Sequence, residues 1–528
     1  MTRRFNTWTD LFLSGTTFLP DRVGFCALRE DGSAESIGRA ELVNHALSVS
    51  RGLRSLGLQK GSVVVLTGEP STAWAVSFAA VLLSGAMPAP IYARSTRQEF
   101  ERAMATSGAQ FAIVAAASGV VDLSERGSTR TIITLERTGG PHPSVEEMYE
   151  LAPTDPVVCA ESDPAVVLQT SGTTGNPKFV VHTHRSHMEY LDGMVENTMS
   201  ADDRVLSFMP LNHQAGLLVF WIAAFSVGAP SFQLSRFSTG AFWDAIHTYG
   251  ITWTGLMDPV PAHLLNAEPS DKDRNHTLRF VLGQSNASNR AATERRFGFQ
   301  IHGSYGSTEA PIVALSTDLE RPAFLGLTTD QASVCGGVPV RDWEARVVRP
   351  DGSRAPQSEI GSLEVRGPAL FSRYLNDPEA TIRAISADGW YKTGDRAYVN
   401  EHGEIFFVER EGANSIRRSG EFISAAEVET TLLQHPGISD ACVVAVPDDL
   451  RYQEVRACVV RTPGSAVTAQ EIYDHCSASL AKFKVPRFLD FWDELPRTAT
   501  LKIARTELDS DPATWIDRYD SRATDMRP

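Results

Sequence analysis

The chain has 528 residues, of which 42% are hydrophobic and 21% are charged, and its formal net charge is −15 at pH 7. This length exceeds one ordinary hydrophobic core, so we expect two or more domains. The acidic balance argues against a nucleic-acid-binding protein, because binding to phosphate backbones requires clustered lysines and arginines. The negative net charge does not prevent a small anion from binding in a locally positive pocket.

The cysteine spacing and the apolar stretches bear on where the protein works. The six cysteines lie far apart without a CxxC pair, which predicts no disulfide framework and a cytoplasmic location. The most apolar stretch, around Trp74 to Leu83, is too short for a membrane span, so no membrane partner is expected. The N-terminus lacks the apolar region of a signal peptide.

The first half of the chain alternates between helix and strand patterns, which favours a layered α/β architecture. We predict a helix over 41–58, a strand over 60–68, and a helix followed by a strand over 71–92. Further strands are predicted before the loop at 170, and at 250–256 and 279–286.

After about residue 410 the pattern becomes that of a small α+β domain. Strands are predicted at 438–449, 454–464 and 487–492. A helix is predicted at 468–484, where Thr468 and Glu471 have the spacing of a capping box. The polar, glycine-containing segment 408–421 is the predicted linker.

A loop rich in glycine and hydroxyl residues, LQTSGTTGNPKFVVHTH at 168–184, is the first candidate site. Backbone N–H groups and hydroxyls in such a loop can surround phosphate oxygens, and Lys178 adds positive charge. A Walker A loop is excluded because Pro177 stands at its second glycine and Phe179 follows the lysine. An ordinary surface loop is the alternative interpretation.

Three later motifs favour nucleotide chemistry. SYGSTEA at 304–310 places Glu309 beside hydroxyls, and such a group suits Mg²⁺ together with substrate phosphates. GWYKTGDRAYV at 389–399 supplies Asp395, a carboxylate suited to ribose hydroxyls. LPRTATLKIARTEL at 495–508 carries Lys502. Each motif taken alone has an ordinary structural interpretation. Glu309 is then a solvated acidic residue in a turn, Asp395 is a turn or helix-cap residue, and Lys502 is a surface charge.

Together and in this order, the four stretches resemble the adenylate-forming superfamily and its acyl-CoA synthetases. FSTGAFWDAIHTYGITWT, HGSYGSTEA and LAKFKVP are most similar to carnitine- and crotonobetaine-CoA-ligase-like members. The resemblance implies a large multi-sheet N-terminal domain (1–409), a hinge (410–414, with Asn414 as the expected hinge residue) and a small mobile α+β lid domain (415–528).

The resemblance also implies a two-step reaction that uses ATP, Mg²⁺ and coenzyme A. A carboxylic acid is first adenylated with release of pyrophosphate, and a thiol then attacks the acyl carbon. The implied catalytic residues are Lys502, Thr308, Glu309 and His213, with Glu309 as the metal ligand. The implied nucleotide-binding residues are Thr170, Ser171, Gly172, Thr173, Thr174, Gly175, Lys178, Ser304, Tyr305, Gly306, Asp395 and Arg410.

The acyl pocket implied by the resemblance is built from three loops. Its candidate residues are His213, Gln214, Gly216, Gly283, Gln284, Asn286 and Pro311. Leu211, Asn212 and His213 occupy the region where amino-acid-activating relatives have an aspartate, which argues against an α-amino acid substrate. Amides in the wall favour a small polar or aromatic acid, because buried amides demand partners. His213 either orients the carboxylate, gates the pocket, or packs structurally.

Three departures from the family pattern keep other functions open. Phe179, Leu501 and Gln453 stand where relatives have glycine, and Leu501 restricts the backbone beside Lys502. The alternatives are transfer to an acyl carrier protein or an amine, activation of an oxyanion such as nitrite in natural-product biosynthesis, and a degenerate nucleotide-binding protein. A homodimer also remains open.

Overall fold

The computed structural model describes the whole chain except residues 1–3, 96, 119–129, 171–177, 197, 258–259, 271–272, 285–286, 316–334, 411–414, 419–420, 449–451, 481–483, 499–501, 509–518 and 521–528. The described part has the predicted α/β architecture, with several sheets and helices between them. Its α-helices are Trp8–Ser14, Arg39–Ser55, Thr72–Leu83, Arg97–Ser107, Val145–Met148, His184–Val195, Ala223–Val227, Thr239–Tyr249, Val260–Asn266, Ala287–Phe297, Pro378–Ala384, Ala425–Leu433 and Ala469–Ser479. A π-helix spans Ala215–Ile222, and a 3₁₀-helix spans Arg505–Glu507.

A mostly parallel sheet lies in the N-terminal part. Across the sheet its described strands are Ile301–His302, Phe280–Gln284, Trp253–Met257, Val205–Ser207, Ser231–Leu234, Val23–Leu28 and Ala34–Gly38. Neighbours are parallel except for the last pair. Because parallel strands end at the same edge, the loops that follow Trp253–Met257 and Phe280–Gln284 leave the sheet side by side, as ligand-binding loops do in such sheets.

An antiparallel sheet carries four of the predicted nucleotide-binding residues, namely Ser304, Tyr305, Asp395 and Arg410. Across it the described strands are Ser304–Tyr305, Ala314–Leu315, Cys335–Pro339, Ile405–Arg410, Tyr391–Val399, Gly361–Arg366 and Glu344–Val348. Asp395 is the register partner of Arg410. The backbones of Asp395 and Arg410 are therefore neighbours, as predicted. The structure describes only the backbone of Arg410.

Two smaller sheets complete the N-terminal part. One is parallel, with the strand order Met87–Pro90, Val63–Thr67, Phe111–Val114 and Thr131–Thr134. The other is antiparallel, with the order Arg373–Tyr374, Phe179–Thr183 and Pro164–Gln169. The second sheet carries the glycine-rich loop at the turn between its two longer strands.

The C-terminal part forms a small domain with a hydrophobic cluster of its own, which includes Ile423, Val428 and Val459. Its described strands are Glu421–Ser424, Ser415–Arg418, Ile438–Asp448, Tyr452–Arg461, Phe488–Trp492 and Tyr519–Asp520. The predicted capping box is present. The Thr468 hydroxyl accepts from the Glu471 N–H at 3.3 Å, and the Glu471 carboxylate accepts from the Thr468 N–H at 2.8 Å.

Burial accounts for the helix Thr72–Leu83, whose side chains from Ala73 to Leu83 are all buried. Ser71 caps it by accepting a hydrogen bond from the Trp74 N–H. Within the described ranges, no helix combines the length and the apolar character needed to cross a bilayer.

Candidate active site

The base of the glycine-rich loop is held by a pair of residues, Thr170 and Lys178. The Thr170 N–H donates to the Lys178 carbonyl at 2.9 Å, and the Lys178 N–H donates to the Thr170 hydroxyl at 3.3 Å. The predicted phosphate-binding residues Ser171, Gly172, Thr173, Thr174 and Gly175 lie outside the described residues. The hairpin thus fixes where the loop leaves and rejoins the sheet.

Phe179, one of the departures from the family pattern, is a core residue. Its side chain is buried in a cluster with Val65, Phe100 and Val181. Its carbonyl accepts a hydrogen bond from the Leu375 N–H at 2.8 Å. Packing therefore accounts for an aromatic side chain directly after Lys178.

Lys178, Tyr374 and Glu309 form a contiguous group. The Lys178 ammonium lies 4.7 Å from the centroid of the Tyr374 ring, a distance at which a cation is attracted to an aromatic face. The Tyr374 hydroxyl donates to Glu309 Oε1 at 2.9 Å. A cation over the ring and a carboxylate at its hydroxyl, from distant parts of the sequence, thereby contact one tyrosine.

The turn that carries Thr308 and Glu309 is built from the chain around Gly306. The Ser307 hydroxyl accepts from the Ala310 N–H at 3.1 Å, and the Ser307 N–H donates to the Ala310 carbonyl at 2.9 Å. A Cβ atom on Gly306 would lie 2.5 Å from the Ile312 nitrogen, so no other residue fits there. Glu309 is buried, and its carboxylate faces Tyr374.

Two side chains brace the backbone of this turn. His182 Nε2 lies 2.8 Å from the Thr308 carbonyl oxygen, so this nitrogen carries the proton and donates. Burial lowers the pKa of His182 to about 4, although the Thr308 contact opposes this shift. The ring is therefore neutral at pH 7.

Gln214 supplies the second brace. With its amide nitrogen oriented by the surrounding acceptors, it donates to the Ser307 carbonyl at 3.0 Å and to the Thr308 carbonyl at 3.2 Å. The polar end of Gln214 is thus directed to the turn. Its place in the wall of an acyl pocket remains a prediction.

Tyr305 and Asp395 meet at the edge of the antiparallel sheet. The Tyr305 hydroxyl donates to Asp395 Oδ2 at 2.7 Å, and both side chains are buried. The Asp395 N–H donates to the Thr393 hydroxyl at 3.0 Å, which fixes the backbone before the carboxylate. Ser304 is also buried beside Tyr305. The structure thus brings together two residues that the sequence analysis assigned to the nucleotide.

His213 lies just before the π-helix Ala215–Ile222. Its Nδ1 accepts from the Ala215 N–H at 3.1 Å, so the neutral ring carries its proton on Nε2. Burial, and then the charge of Lys502, lower the pKa of His213 to about 4. Lys502 itself is exposed on the small domain, and its charge reaches His213 of the large domain.

The remaining acyl-pocket candidates are placed as follows. A Cβ atom on Gly216 would lie 2.4 Å from the Met209 and Pro210 carbonyl oxygens, and one on Gly283 would lie 2.2 Å from the Leu256 carbonyl oxygen. Both glycines are therefore required by backbone packing. Pro311 is buried, the Gln284 side chain is not described, and Asn286 lies outside the described residues.

Sequence reasoning missed Tyr374 and His182. Tyr374 is 65 residues from its partner Glu309, and His182 is 126 residues from Thr308. No local spacing connects residues so far apart. A weak signal for His182 is a histidine at a buried position of an apolar strand, FVVHT, where a polar group needs a partner.

Comparisons with known proteins give the family. The AMP-binding enzyme family matches residues 19–375, and the AMP-binding enzyme C-terminal domain matches residues 427–502. The crotonobetaine/carnitine–CoA ligase of Salmonella arizonae is 32% identical over 471 residues, which cover 86% of this chain and 89% of that protein. The chain therefore belongs to the AMP-binding enzyme family.

Solved structures share the fold over nearly the whole chain. ATP-bound MatB from Rhodopseudomonas palustris has a TM-score of 0.82 at 23% identity and covers 96% of this chain and 98% of its own. The anthranilate CoA ligase AuaEII in complex with anthranoyl-AMP has a TM-score of 0.82 at 24% identity and covers 95% and 96%. The predicted fold, a large N-terminal and a small C-terminal domain, is confirmed.

The family and the named relatives establish the class of enzyme. The protein is an AMP-forming acyl-CoA ligase: it uses ATP and Mg²⁺ to adenylate a small-molecule acid and transfers the acyl group to coenzyme A.

Proposed function

We propose that the residues described above carry out adenylation in the roles that the sequence suggested. The observation that supports this most strongly is the contiguous group of Lys178, Tyr374 and Glu309. It puts a cation and a carboxylate next to the hairpin that bears the glycine-rich loop. A triphosphate with its metal needs both charges within reach.

In the first step a carboxylate oxygen of the acid attacks the α-phosphorus of ATP. An acyl O–P bond forms, the bond between the α-phosphorus and the bridging oxygen breaks, and pyrophosphate leaves. We assign the β- and γ-phosphates to the glycine-rich loop and Lys178, and the α-phosphate to Thr308. Glu309 would hold Mg²⁺, which when bound neutralises phosphate charge. The buried Glu309 carboxylate fits such an oxygen-seeking cation.

Lys502 is assigned to the contact between the two reacting anions. An ammonium between the carboxylate and the α-phosphate offsets their mutual repulsion in the transition state. The charge of Lys502 contributes, after burial, to the lowered pKa of His213, which supports a place for this lysine within electrostatic range of the site.

His213 is assigned to the substrate carboxylate. With Nδ1 occupied by the Ala215 N–H, the Nε2–H is the group available for donation. A neutral donor can hold the carboxylate without drawing it away from the phosphorus as strongly as a cation would. Tyr305 and Asp395 are assigned to the adenine and the ribose hydroxyls, with Arg410 as neighbour.

For the second step we propose that the small domain (415–528) rotates about residues 410–414 and withdraws Lys502. The thiol sulfur of coenzyme A then attacks the acyl carbon, AMP leaves, and the thiol proton passes to solvent. The segment at 417–424 would face the thiol. Arg418 of this segment forms a buried ion pair with Glu454 at 2.8 Å, so the segment is anchored to the small domain. Asn414 lies outside the described residues.

We propose a small polar or aromatic acid as substrate. Support comes from the relatives, since one is named for crotonobetaine and carnitine and another holds anthranoyl-AMP. The candidate wall residues for such an acid are those that the resemblance implies, namely His213, Gln214, Gln284, Asn286 and Pro311.

An acid panel tests this proposal. Benzoate, anthranilate, crotonobetaine, carnitine, octanoate and palmitate are each supplied with Mg·ATP, with and without coenzyme A, and pyrophosphate release is followed. We expect turnover with one of the first four acids and its strong stimulation by coenzyme A. Turnover only with the fatty acids would refute the acid class.

The same panel addresses the other acceptors. Release of pyrophosphate that coenzyme A does not stimulate, but an acyl carrier protein or an amine does, would favour those acceptors. Nitrite in place of the acid tests the oxyanion alternative. We also propose a cytoplasmic enzyme, supported by five described cysteines that are free thiols.

The role of Lys502 is tested by separating the two steps. Lys502→Ala is expected to abolish acyl-adenylate formation and to leave coenzyme A attack on a supplied acyl-adenylate intact. Equal loss of both steps would contradict the assignment.

A further inference from the structure

Lys502 lies in a short hairpin that follows the strand Phe488–Trp492. The Ala504 N–H donates to the Pro496 carbonyl at 2.8 Å, and the Thr498 N–H donates to the Lys502 carbonyl at 2.7 Å. These bonds fix the two arms of the hairpin relative to each other. They do not fix the hairpin relative to the rest of the small domain.

An arginine after Lys502 ties the second arm to the domain. Arg505 Nη2 lies 2.6 Å from Glu429 Oε1, and Arg505 Nη1 donates to the Val443 carbonyl. Glu429 Oε1 also accepts from the Val443 N–H at 2.7 Å. Arg505 thus reaches both the helix Ala425–Leu433 and the strand Ile438–Asp448.

An arginine before Lys502 ties the first arm to the same strand. The Arg497 guanidinium pairs with the Asp440 carboxylate, and their side chains are only 18% and 24% exposed. Leu495 and Leu508 are buried in one cluster, and Ile503, directly after Lys502, packs against the same cluster. Lys502 therefore lies, in the sequence, between two arginines that each form an ion pair with the small domain.

We propose that Arg497 and Arg505 are positioning residues for adenylation, which hold the Lys502 backbone so that its ammonium reaches the two reacting anions. This inference rests on the proposed role of Lys502. The Lys502 side chain is flexible, so the position of its ammonium depends on how precisely the backbone of Lys502 is held. The packing of Ile503 holds the hairpin against the core, and the two charged contacts add directional constraints on each arm.

The alternative is that both pairs serve only the stability of the small domain. The two roles differ in their effect on the half-reactions. A positioning role affects adenylation alone, because Lys502 takes no part in the attack of coenzyme A on the acyl-adenylate. A purely structural role affects both steps, since both need the folded small domain.

The experiment uses Arg497→Gln and Arg505→Gln in the full chain, with the panel acid that gives the fastest turnover. Acid-dependent exchange of pyrophosphate into ATP reports adenylation, and single-turnover attack of coenzyme A on the supplied acyl-adenylate reports the second step. We expect exchange to fall about 10- to 100-fold in each variant, as for a catalytic group displaced by about 1 Å. The coenzyme A step should change less than twofold.

Arg487→Gln is the matched control. Arg487 pairs with Asp448 on the same strand at 2.7 Å, with side-chain exposures of 19% and 12%, but it lies outside the Lys502 hairpin. We expect this variant to keep its exchange rate. The reversed pair, Arg497→Glu with Asp440→Arg, should recover most of the exchange that Arg497→Glu loses, because it restores the contact with the charges exchanged.

Three outcomes overturn the inference: equal loss of both steps, an equal effect of the control variant, or exchange unchanged in both arginine variants. Lys502→Ala measured alongside separates this from the proposed function. If that variant loses exchange while the arginine variants keep it, only the positioning role is wrong. If it keeps exchange, the assigned role of Lys502 is itself wrong.

Discussion

Replacing Tyr374 by phenylalanine should weaken the use of Mg·ATP while leaving the fold intact. The substitution removes the hydroxyl that donates to Glu309 at 2.9 Å. It keeps the ring over which the Lys178 ammonium lies, so the cation–π contact persists. The change therefore isolates one hydrogen bond to the carboxylate assigned to the metal.

The size of the effect follows from burial. Tyr374 is 5% exposed and Glu309 is 8% exposed, so water cannot easily replace the lost donor. A hydrogen bond to a charged group contributes about 1.5–3 kcal/mol, which corresponds to about 10- to 150-fold in an equilibrium or rate constant. We expect a fall of this order in kcat/KM for Mg·ATP, with a matching rise in the Mg²⁺ concentration at half-maximal rate.

The assay is acid-dependent pyrophosphate release, with Mg²⁺ and ATP varied in turn. Tyr190→Phe is the matched control, because the Tyr190 hydroxyl is buried without a hydrogen-bond partner among the described residues. That control should change kcat/KM less than twofold. If Tyr374→Phe also stays within twofold, or if both variants fall equally, the reasoning that Tyr374 positions Glu309 is refuted.

Three further predictions follow from buried side chains around the site. His182→Leu removes the donor to the Thr308 carbonyl and should lower kcat/KM for ATP about tenfold. His182→Gln, which keeps a donor, should be less affected. Equal activity of both variants and wild type would contradict the role of His182 in holding the Thr308 backbone. His182 and His184 both have a pKa of about 4, lowered mainly by burial from 6.5, so folding favours their neutral forms and stability is lost as pH falls from about 6.5 towards 4. Each should cost about 2 kcal/mol of unfolding free energy between pH 7 and pH 5, and denaturant unfolding of His184→Gln should show a shallower pH dependence than wild type. Phe179→Gly restores the family residue but should lower stability by about 3–5 kcal/mol without raising turnover; a faster enzyme of unchanged stability would refute its role as a core residue.

The helices and strands that the sequence predicted best are those in which buried apolar residues recur at a regular local spacing. The strand Val63–Thr67 falls within its predicted range, and the helix Arg39–Ser55 overlaps most of the predicted 41–58 but begins two residues earlier. Both were visible because apolar residues recur at helical spacing in the helix and run together in the strand. The capping box at Thr468 depends on residues three positions apart, so it too is visible in the sequence.

The contacts of the site are less accessible to such reasoning. The motifs gave Glu309, Asp395 and Lys502 as candidates through resemblance, but not the side chains that hold them. Tyr374 reaches Glu309 because the strand Arg373–Tyr374 pairs with Phe179–Thr183 and the Phe371 N–H donates to the Glu309 carbonyl at 2.8 Å. That pairing depends on tertiary folding and leaves no local pattern.

Side-chain direction was the other unpredictable quantity. The amide of Gln214 reaches the carbonyls of Ser307 and Thr308, and the sequence did not indicate these two contacts. The residue lies at the start of the π-helix Ala215–Ile222, an uncommon element whose wider turn shifts the orientation of side chains. A sequence period of 3.6 or 2 does not reveal such a shift.

The most direct test of the account is a crystal structure of the full chain with a non-hydrolysable ATP analogue and Mg²⁺. We predict the metal on the Glu309 carboxylate, the ribose hydroxyls at Asp395, the terminal phosphates at Thr174 and Lys178, and the Lys502 ammonium at the α-phosphate. A triphosphate bound away from Thr174 and Glu309 would contradict the account.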